Sequence, residues 1–177
     1  TYGDTGVKVN ATAVGALNYS VISGDDVIDI DASGNVTIKK AGEATIKISA
    51  AETNDYAAAT KDITVTIAKR TLTVKAADKS AYIGEKLPEL TYEVSGLVGS
   101  DKLTKEPTLE VKHAADVDPM KKAGTYEITF ETQPAASENY ELTTQNGTLT
   151  VRTRHSSGTT GSTGGVSVDR PENGTVT

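Results

Sequence analysis

The stretch that decides the fold is Lys121-Lys122-Ala123-Gly124-Thr125-Tyr126-Glu127-Ile128-Thr129-Phe130, because the chain contains it twice. The earlier copy reads Lys39-Lys40-Ala41-Gly42-Glu43-Ala44-Thr45-Ile46-Lys47-Ile48. Each copy is followed by an Asn-Tyr or Asn-Asp-Tyr loop and then by a Thr-rich closing segment, at 147–151 and at 63–67. The copies are offset by 82 residues at their beginning and by 84 at their end. Such an internal repeat predicts two modules of the same kind.

Apolar and polar residues alternate after the Lys-Lys-Ala-Gly turn. In the later copy Tyr126, Ile128 and Phe130 fall on one side, whereas Thr125, Glu127 and Thr129 fall on the other. A period of two with one apolar face is typical of a strand that is half buried against a second sheet. We therefore expect Ile128 to face a core and Thr129 to face solvent, in an all-β chain of two tandem sandwiches.

Length and composition agree with two small modules. The chain has 177 residues, no Cys, no Trp and 5% aromatic residues. Two modules of roughly 70 to 80 residues each bury a modest core, and without Cys packing alone must hold them. The absence of Cys is compatible with a cytosolic protein, but it is also common in exported bacterial proteins, and the repeats favour export.

The net charge of −6 argues against nucleic acid or an anionic lipid surface as a partner. No apolar run is long enough to span a bilayer, so membrane insertion is not expected. Because the chain begins inside a repeat pattern, we expect it to be a segment of a longer protein.

The predicted boundaries follow from the alternation and the turn residues. We predict a first module over 1–68 that lacks its first strand, and a second over 71–152. Lys69-Arg70 leaves so short a link that the modules should lie end to end with restricted freedom. No helix is predicted, and Ala32-Ser33-Gly34-Asn35 is typical of a hairpin turn. The predicted strands are 7–13, 17–22, 27–31, 36–39, 43–50, a run ending at 67, 71–77, 90–95, 109–111, the repeat strand after 121, and 147–151.

The end of the chain has a different composition. Residues 153–165 are rich in Ser, Gly and Thr, which is typical of a flexible linker. Val166-Ser167-Val168 and Gly174-Thr175-Val176 then predict the start of a further β module, over 166–177. Either short segment could add as a strand to an open sheet edge of another molecule, which predicts self-association through this tail.

Several motifs carry a resemblance to known families. Residues 21–67, with Ser23-Gly24-Asp25, the 31–36 turn and Ala41-Gly42, resemble the bacterial Ig-like repeats of surface adhesins. Residues 71–151 are similar to the repeats called MBG in large secreted proteins of Gram-positive and gut bacteria, through Tyr82, 90–92, 94–97, 123–126, 139–140 and 149–151. The resemblance implies an Ig-like β-sandwich in each half. It also implies an exported protein located outside the cell, at the cell surface or in the cell wall.

Residues able to carry chemistry are few. His113 and His155 are the only histidines and neither has a Cys nearby, so a nucleophile triad or a zinc site is not expected. His113 with Asp116 and Asp118 could hold a metal, but an exposed loop of solvated charges is the stronger interpretation. We predict no catalytic, cofactor-binding or metal-binding residues and no cofactor.

The acidic run Asp25, Asp26, Asp29 and Asp31 imitates the first half of a calcium loop. The twelfth position of that loop would be Lys40, where a bidentate Glu is required. Ile30 also alternates with the Asp residues as in a strand. The run therefore predicts a hairpin, with a weak calcium site as the alternative.

Tyr56 and Tyr140 occupy equivalent places in the two copies. A carbohydrate-binding module would expose them as stacking platforms, but equivalent placement favours packing, with the hydroxyl group tying down a loop.

The sequence thus predicts a non-catalytic spacer or adhesive stalk of a bacterial surface protein. A glycan- or mucin-binding module, contacting a host or cell-wall glycan or protein, is one alternative. Accessory domains of a secreted glycoside hydrolase are another.

Overall fold

A computed structural model describes residues 1–154 of the chain, whose regular secondary structure consists of β-strands and one short 3₁₀ turn. The all-β sandwich prediction is confirmed. The predicted further β segment at 166–177 lies outside the described residues, as do most of the linker and His155. The strands are β1 Val7–Lys8, β2 Leu17–Ser23, β3 Ile28–Ile30, β4 Asn35–Ile38, β5 Gly42–Ala50, β6 Ala59–Ile67, β7 Arg70–Ala76, β8 Lys79–Tyr82, β9 Tyr92–Ser95, β10 Thr108–Lys112, β11 Gly124–Thr132, β12 Tyr140–Gln145 and β13 Gly147–Arg152.

The first half of the chain, residues 1–68, forms what we call the N-terminal module. It has two three-stranded sheets, of order β2-β5-β6 and β1-β4-β3. The β3–β4 hairpin is the one predicted around Gly34, with Ile30 paired to Val36. The two sheets enclose a separate apolar core of Val27, Ile28, Val36, Ala44, Ile46 and Ile67.

Residues 70–152 form the C-terminal module, with a four-stranded sheet of order β10-β11-β13-β8 and a three-stranded sheet of order β12-β7-β9. The chain from Tyr140 to Arg152 crosses from the second sheet to the first between β12 and β13. The core is formed by Val74, Ala76, Ala81, Ile128, Phe130, Leu149 and Val151. Ile128 is fully buried, as the alternation predicted.

Two pairings in the C-terminal module are parallel. β8 pairs with β13 in parallel from Lys79↔Leu149 to Tyr82↔Arg152, and β7 pairs with β12 in the same sense. In the N-terminal module β6 takes the place of β13 next to β5, and there it is the outermost strand of its sheet.

Two strands, β8 and β12, are not predicted from the sequence, and one end of two others is misplaced by two residues or more. The strand expected over 7–13 ends at Lys8, because its partner β4 begins at Asn35, opposite Lys8, and is preceded by the hairpin turn. β8 was not predicted, since Lys-Ser-Ala-Tyr has weak strand propensity and its position depends on pairing with the distant β13. The strand predicted from Leu90 begins at Tyr92.

No helix was predicted, but a short 3₁₀ turn occurs at Pro119–Lys121. Asp118 caps it, since its Oδ1 accepts a hydrogen bond from the Met120 N–H at 2.9 Å.

Candidate functional site

Carboxylates of the acidic run on β3 and its flanks make hydrogen bonds and ion pairs with neighbouring residues of the N-terminal module. Asp31 Oδ1 accepts hydrogen bonds from the N–H groups of Ser33 and Asn35, at 2.8 and 2.9 Å, and its Oδ2 accepts one from the Asn35 side chain. These bonds hold the pKa of Asp31 below its usual range, the Asn35 side chain contributing most. This is the hairpin that the sequence favoured over a calcium loop.

Two lysines lie against the remaining carboxylates of the run. Lys39 Nζ is 2.9 Å from Asp29 Oδ2, and Lys40 pairs with Asp26. Lys40 is the position where a calcium loop would need a glutamate, so here it supplies positive charge instead.

The His113 loop does not assemble a ligand set. His113 Nδ1 lies 2.8 Å from the Ala114 carbonyl oxygen, and Asp118 is used by the 3₁₀ turn and by an ion pair with Lys121 at 3.2 Å. Among residues 1–154, no three His, Asp or Glu side chains are grouped so that they could hold a metal ion.

Tyr56 and Tyr140 have different environments, so the expectation of a shared packing role is wrong for Tyr56. Tyr140 is 5% exposed and begins β12, whereas Tyr56 is 62% exposed in an irregular loop. The physical reason is the position of the modules: the N-terminal module covers Tyr140, whereas no described residue covers Tyr56 in this way.

Tyr140 lies at the joint between the modules, where two tyrosines share one carboxylate. The Tyr140 hydroxyl group donates to Asp101 Oδ2 at 2.5 Å and accepts from the Val98 N–H at 2.9 Å. From the other module the Tyr2 hydroxyl group donates to the same Asp101 oxygen at 3.0 Å. The two rings meet edge to face, with their centroids 5.5 Å apart. This cluster links the modules through both polar and aromatic contacts.

Two further residues of the C-terminal module, Asn139 and Arg70, make contacts across the joint. Asn139 Oδ1 accepts a hydrogen bond from the Ala41 N–H at 2.9 Å, next to the first repeat turn. Arg70, the first residue of β7, donates from Nη1 to the Tyr2 carbonyl oxygen at 3.3 Å and lies 3.9 Å from Asp4 Oδ1. The contacts therefore involve the start and the middle of the N-terminal module.

Gly3 completes the packing. Its φ of 85° is in the left-handed region, and a Cβ built there would lie 2.5 Å from Val98 Cγ2 of the C-terminal module. A side chain at this position would push the modules apart. Gly3 thus permits both the turn and the close approach.

Both joint tyrosines are held in their neutral form. Burial, followed by the hydrogen bond to Asp101, raises the pKa of Tyr2 and that of Tyr140 above the ordinary tyrosine value. The hydroxyl groups consequently remain donors to Asp101 at neutral pH.

The sequence predicted a restricted joint from the two-residue link but none of its contacts. Asp101 belongs to no motif of the sequence, and Asn139 is identified only as part of the repeat. Two features of the sequence point to the joint: the Tyr-Gly-Asp turn at 2–4, shortly before a strand, and the Asn-Tyr pair of the second repeat.

Comparison with known proteins gives one family match, in the C-terminal module, and a similar solved structure. The family model of the MBG domain (YGX type) matches residues 72–150. A solved structure, the S-layer protein SbsC domains 4 and 5, is similar at 18% identity and a TM-score of 0.32, covering 77% of this chain and 70% of that one. No curated protein matches. Within residues 1–154 no helix is long and apolar enough to cross a membrane.

The family match supports the predicted MBG resemblance for the C-terminal module, whereas the likeness of residues 21–67 to bacterial Ig-like repeats stays a prediction.

Proposed function

We propose that the two modules form a non-catalytic, stiff-jointed spacer in a bacterial protein displayed outside the cell. The observation that carries this proposal is the joint, where Tyr2, Asp101 and Tyr140 fix one module on the other. The MBG-type match of residues 72–150 supports the placement in a repeat-bearing surface protein.

The physical argument concerns freedom of movement. Neighbouring modules in one chain move relative to each other unless their interface is specific and well packed. Here a two-residue connection leads directly from β6 into β7. Four side chains of the C-terminal module contact the N-terminal module: Arg70, Asp101, Asn139 and Tyr140. Each hydrogen bond contributes about 0.5–1.5 kcal/mol, and those to the charged Asp101 about 1.5–3 kcal/mol, which is enough to favour one orientation.

A distance measurement between the modules tests the proposal. The chain has no Cys, so spin labels can be attached selectively to Lys47→Cys on β5 and Glu127→Cys on β11, both exposed. Pulsed electron paramagnetic resonance should give one narrow distance distribution. The double variant Asp101→Ala/Asn139→Ala should broaden it, because the joint loses its anchors.

The control keeps the residue types and leaves the joint intact. Asn18→Ala/Asp116→Ala alters an exposed β2 residue and an exposed loop residue, so it should keep the narrow distribution. A broad distribution for the unaltered joint would contradict the spacer proposal.

A glycan-binding role is the second candidate, and the observation that favours it is the exposure of Tyr56. An exposed tyrosine ring can stack on a sugar face. A glycan array with the whole chain addresses this role. If the chain binds one sugar class competitively and Tyr56→Ala abolishes that binding, the glycan-binding role is favoured over the inert spacer.

A further inference from the structure

We propose that the far end of the C-terminal module carries a second docking surface, equivalent to the one through which the N-terminal module holds its neighbour. Its occupant is another β-sandwich module that presents an Asn-Tyr pair as the C-terminal module does. This inference rests on the proposed role of the first joint.

The backbone at the two surfaces is built in the same way. The Tyr2 N–H donates to the Ala68 carbonyl oxygen at 2.9 Å, and the Ile83 N–H donates to the Arg152 carbonyl oxygen at 2.9 Å. Each contact joins the opening turn of a module to the end of its last strand. The turns also match internally: Asp4 N–H bonds to Thr1 O at 3.0 Å and Glu85 N–H to Tyr82 O at 3.1 Å, around Gly3 and Gly84 with φ of 85° and 82°.

The charges are repeated as well. The Glu85 carboxylate accepts a hydrogen bond from the backbone N–H of Tyr82 at 2.8 Å, and the Asp4 carboxylate accepts one from the terminal amino group of Thr1. Arg70, two positions after Ala68, lies beside Asp4, and Arg154, two positions after Arg152, pairs with Glu85. At both surfaces, therefore, an arginine that follows the last strand lies beside the carboxylate of the equivalent turn.

The two surfaces differ in what covers them. A Cβ on Gly3 would collide with Val98 of the neighbouring module, whereas a Cβ on Gly84 would have no described atom within 4 Å. Ala41 is half-buried and its N–H is bonded to Asn139, whereas its counterpart Ala123 is exposed. Ala123 lines an open groove of about 850 Å³ together with Tyr82, Val151, Arg152, Thr153 and Arg154.

These differences define the chemistry of the occupant. By equivalence, the Ala123 N–H receives an Asn amide oxygen and the space over Gly84 receives a small apolar side chain. Ile83 replaces Tyr2, so the occupant does not need a carboxylate like that of Asp101. The ring of Tyr82, which is 42% exposed with the Arg154 guanidinium group 5.5 Å from its centre, offers an additional aromatic contact.

The sequence also limits how the occupant reaches this surface. After Arg70 the chain continues at once as β7, but after Arg154 it reads His-Ser-Ser-Gly-Thr-Thr-Gly. The proposed occupant is therefore a further module joined through this Ser- and Gly-rich sequence rather than by a two-residue link.

A chain with one module added tests the inference. A second copy of residues 70–152 is inserted between Gly165 and Val166, so that the added module is attached through the Ser- and Gly-rich sequence, and spin labels report the first and the second joint in separate samples. We expect a narrow distribution at both joints, centred at similar distances. Asn139→Ala in the inserted copy should broaden only the second, and Asn139→Ala in the original copy only the first.

The outcomes separate this inference from the proposed function. A narrow first joint with a broad second joint overturns the inference and leaves the spacer role intact, whereas two broad joints overturn both. Light scattering of the chain without the insertion tests whether a second copy occupies the surface instead. A dimer that Ala123→Arg abolishes would make a second copy the occupant and would overturn the assignment to a further module.

Discussion

Tyr140 and Tyr56 follow an Asn in equivalent repeats, yet one is buried and the other is exposed. The difference does not come from their own strands. Tyr140 meets Tyr2 from the other module and shares Asp101 with it, whereas no comparable contact covers the ring of Tyr56 among the described residues. A residue's role in a repeated module therefore depends on what the neighbouring module brings to it.

Ile128 and Thr129 provide the sharpest test at single residues. Ile128→Ala should lower the free energy of unfolding by about 2–5 kcal/mol, because it leaves a cavity in the core. Thr129→Lys should change it by less than about 0.5 kcal/mol, since Thr129 lies opposite Glu110, which a lysine can pair with.

Thermal melts monitored by circular dichroism measure both variants. Lys is the better control than Asp at position 129, because an aspartate would face Glu110 across the strands. Equal melting temperatures for Ile128→Ala and Thr129→Lys would contradict the assignment of Ile128 to the core side of β11 and of Thr129 to the solvent side.

At the scale of strands, the two modules close their sheets differently. In the C-terminal module β8, near the start, pairs in parallel with the last strand β13 over four residue pairs. In the N-terminal module β1 pairs with the internal strand β4 over two residue pairs. Force applied to the ends of the C-terminal module pulls on β7 and β13, so it would load the parallel β7–β12 and β8–β13 hydrogen bonds in shear.

Single-molecule pulling should therefore give two unfolding events of unequal force. We expect the N-terminal module to unfold at the lower force, since β1 lends only a short antiparallel pairing to resist it. Ile46 and Ile128, both fully buried, identify the events. Ile46→Ala should weaken the lower-force event and Ile128→Ala the higher-force event. The reverse assignment would contradict the role given to β8.

At the scale of the whole molecule, the joint depends on two neutral phenols beside a carboxylate. Burial and the bond to Asp101 raise the pKa of Tyr2 and of Tyr140. A group whose pKa is raised on folding stabilises the folded arrangement below its unfolded pKa, here about 10, and this contribution is lost as pH rises through the folded value.

The spin-label distance between the modules should accordingly stay constant up to about pH 10 and broaden above it. Ionised Tyr2 and Tyr140 can no longer donate to Asp101 and are repelled by it. Tyr2→Phe, which removes one ionisable group, should reduce the alkaline change, whereas Tyr56→Phe should not affect it. A profile of the Tyr2→Phe variant identical to that of the unaltered chain would exclude the phenols as its cause.

The sequence by itself determined the two repeats, the inward face of β11 and the β3–β4 hairpin. These features depend on local alternation and on turn residues such as Gly34 and Asn35, which act on their own neighbourhood. The short Lys69-Arg70 link also indicated that the modules would not move freely.

Only the tertiary structure decided the position of β8, the end of β1 and the contacts of the joint. β8 exists because the distant β13 lies beside it, and Asp101 and Asn139 acquire their roles because the other module presents Tyr2 and Ala41. Such pairings join residues 70 to 99 positions apart, where no local pattern records which partner will be present, since the partner is chosen by packing over the whole chain.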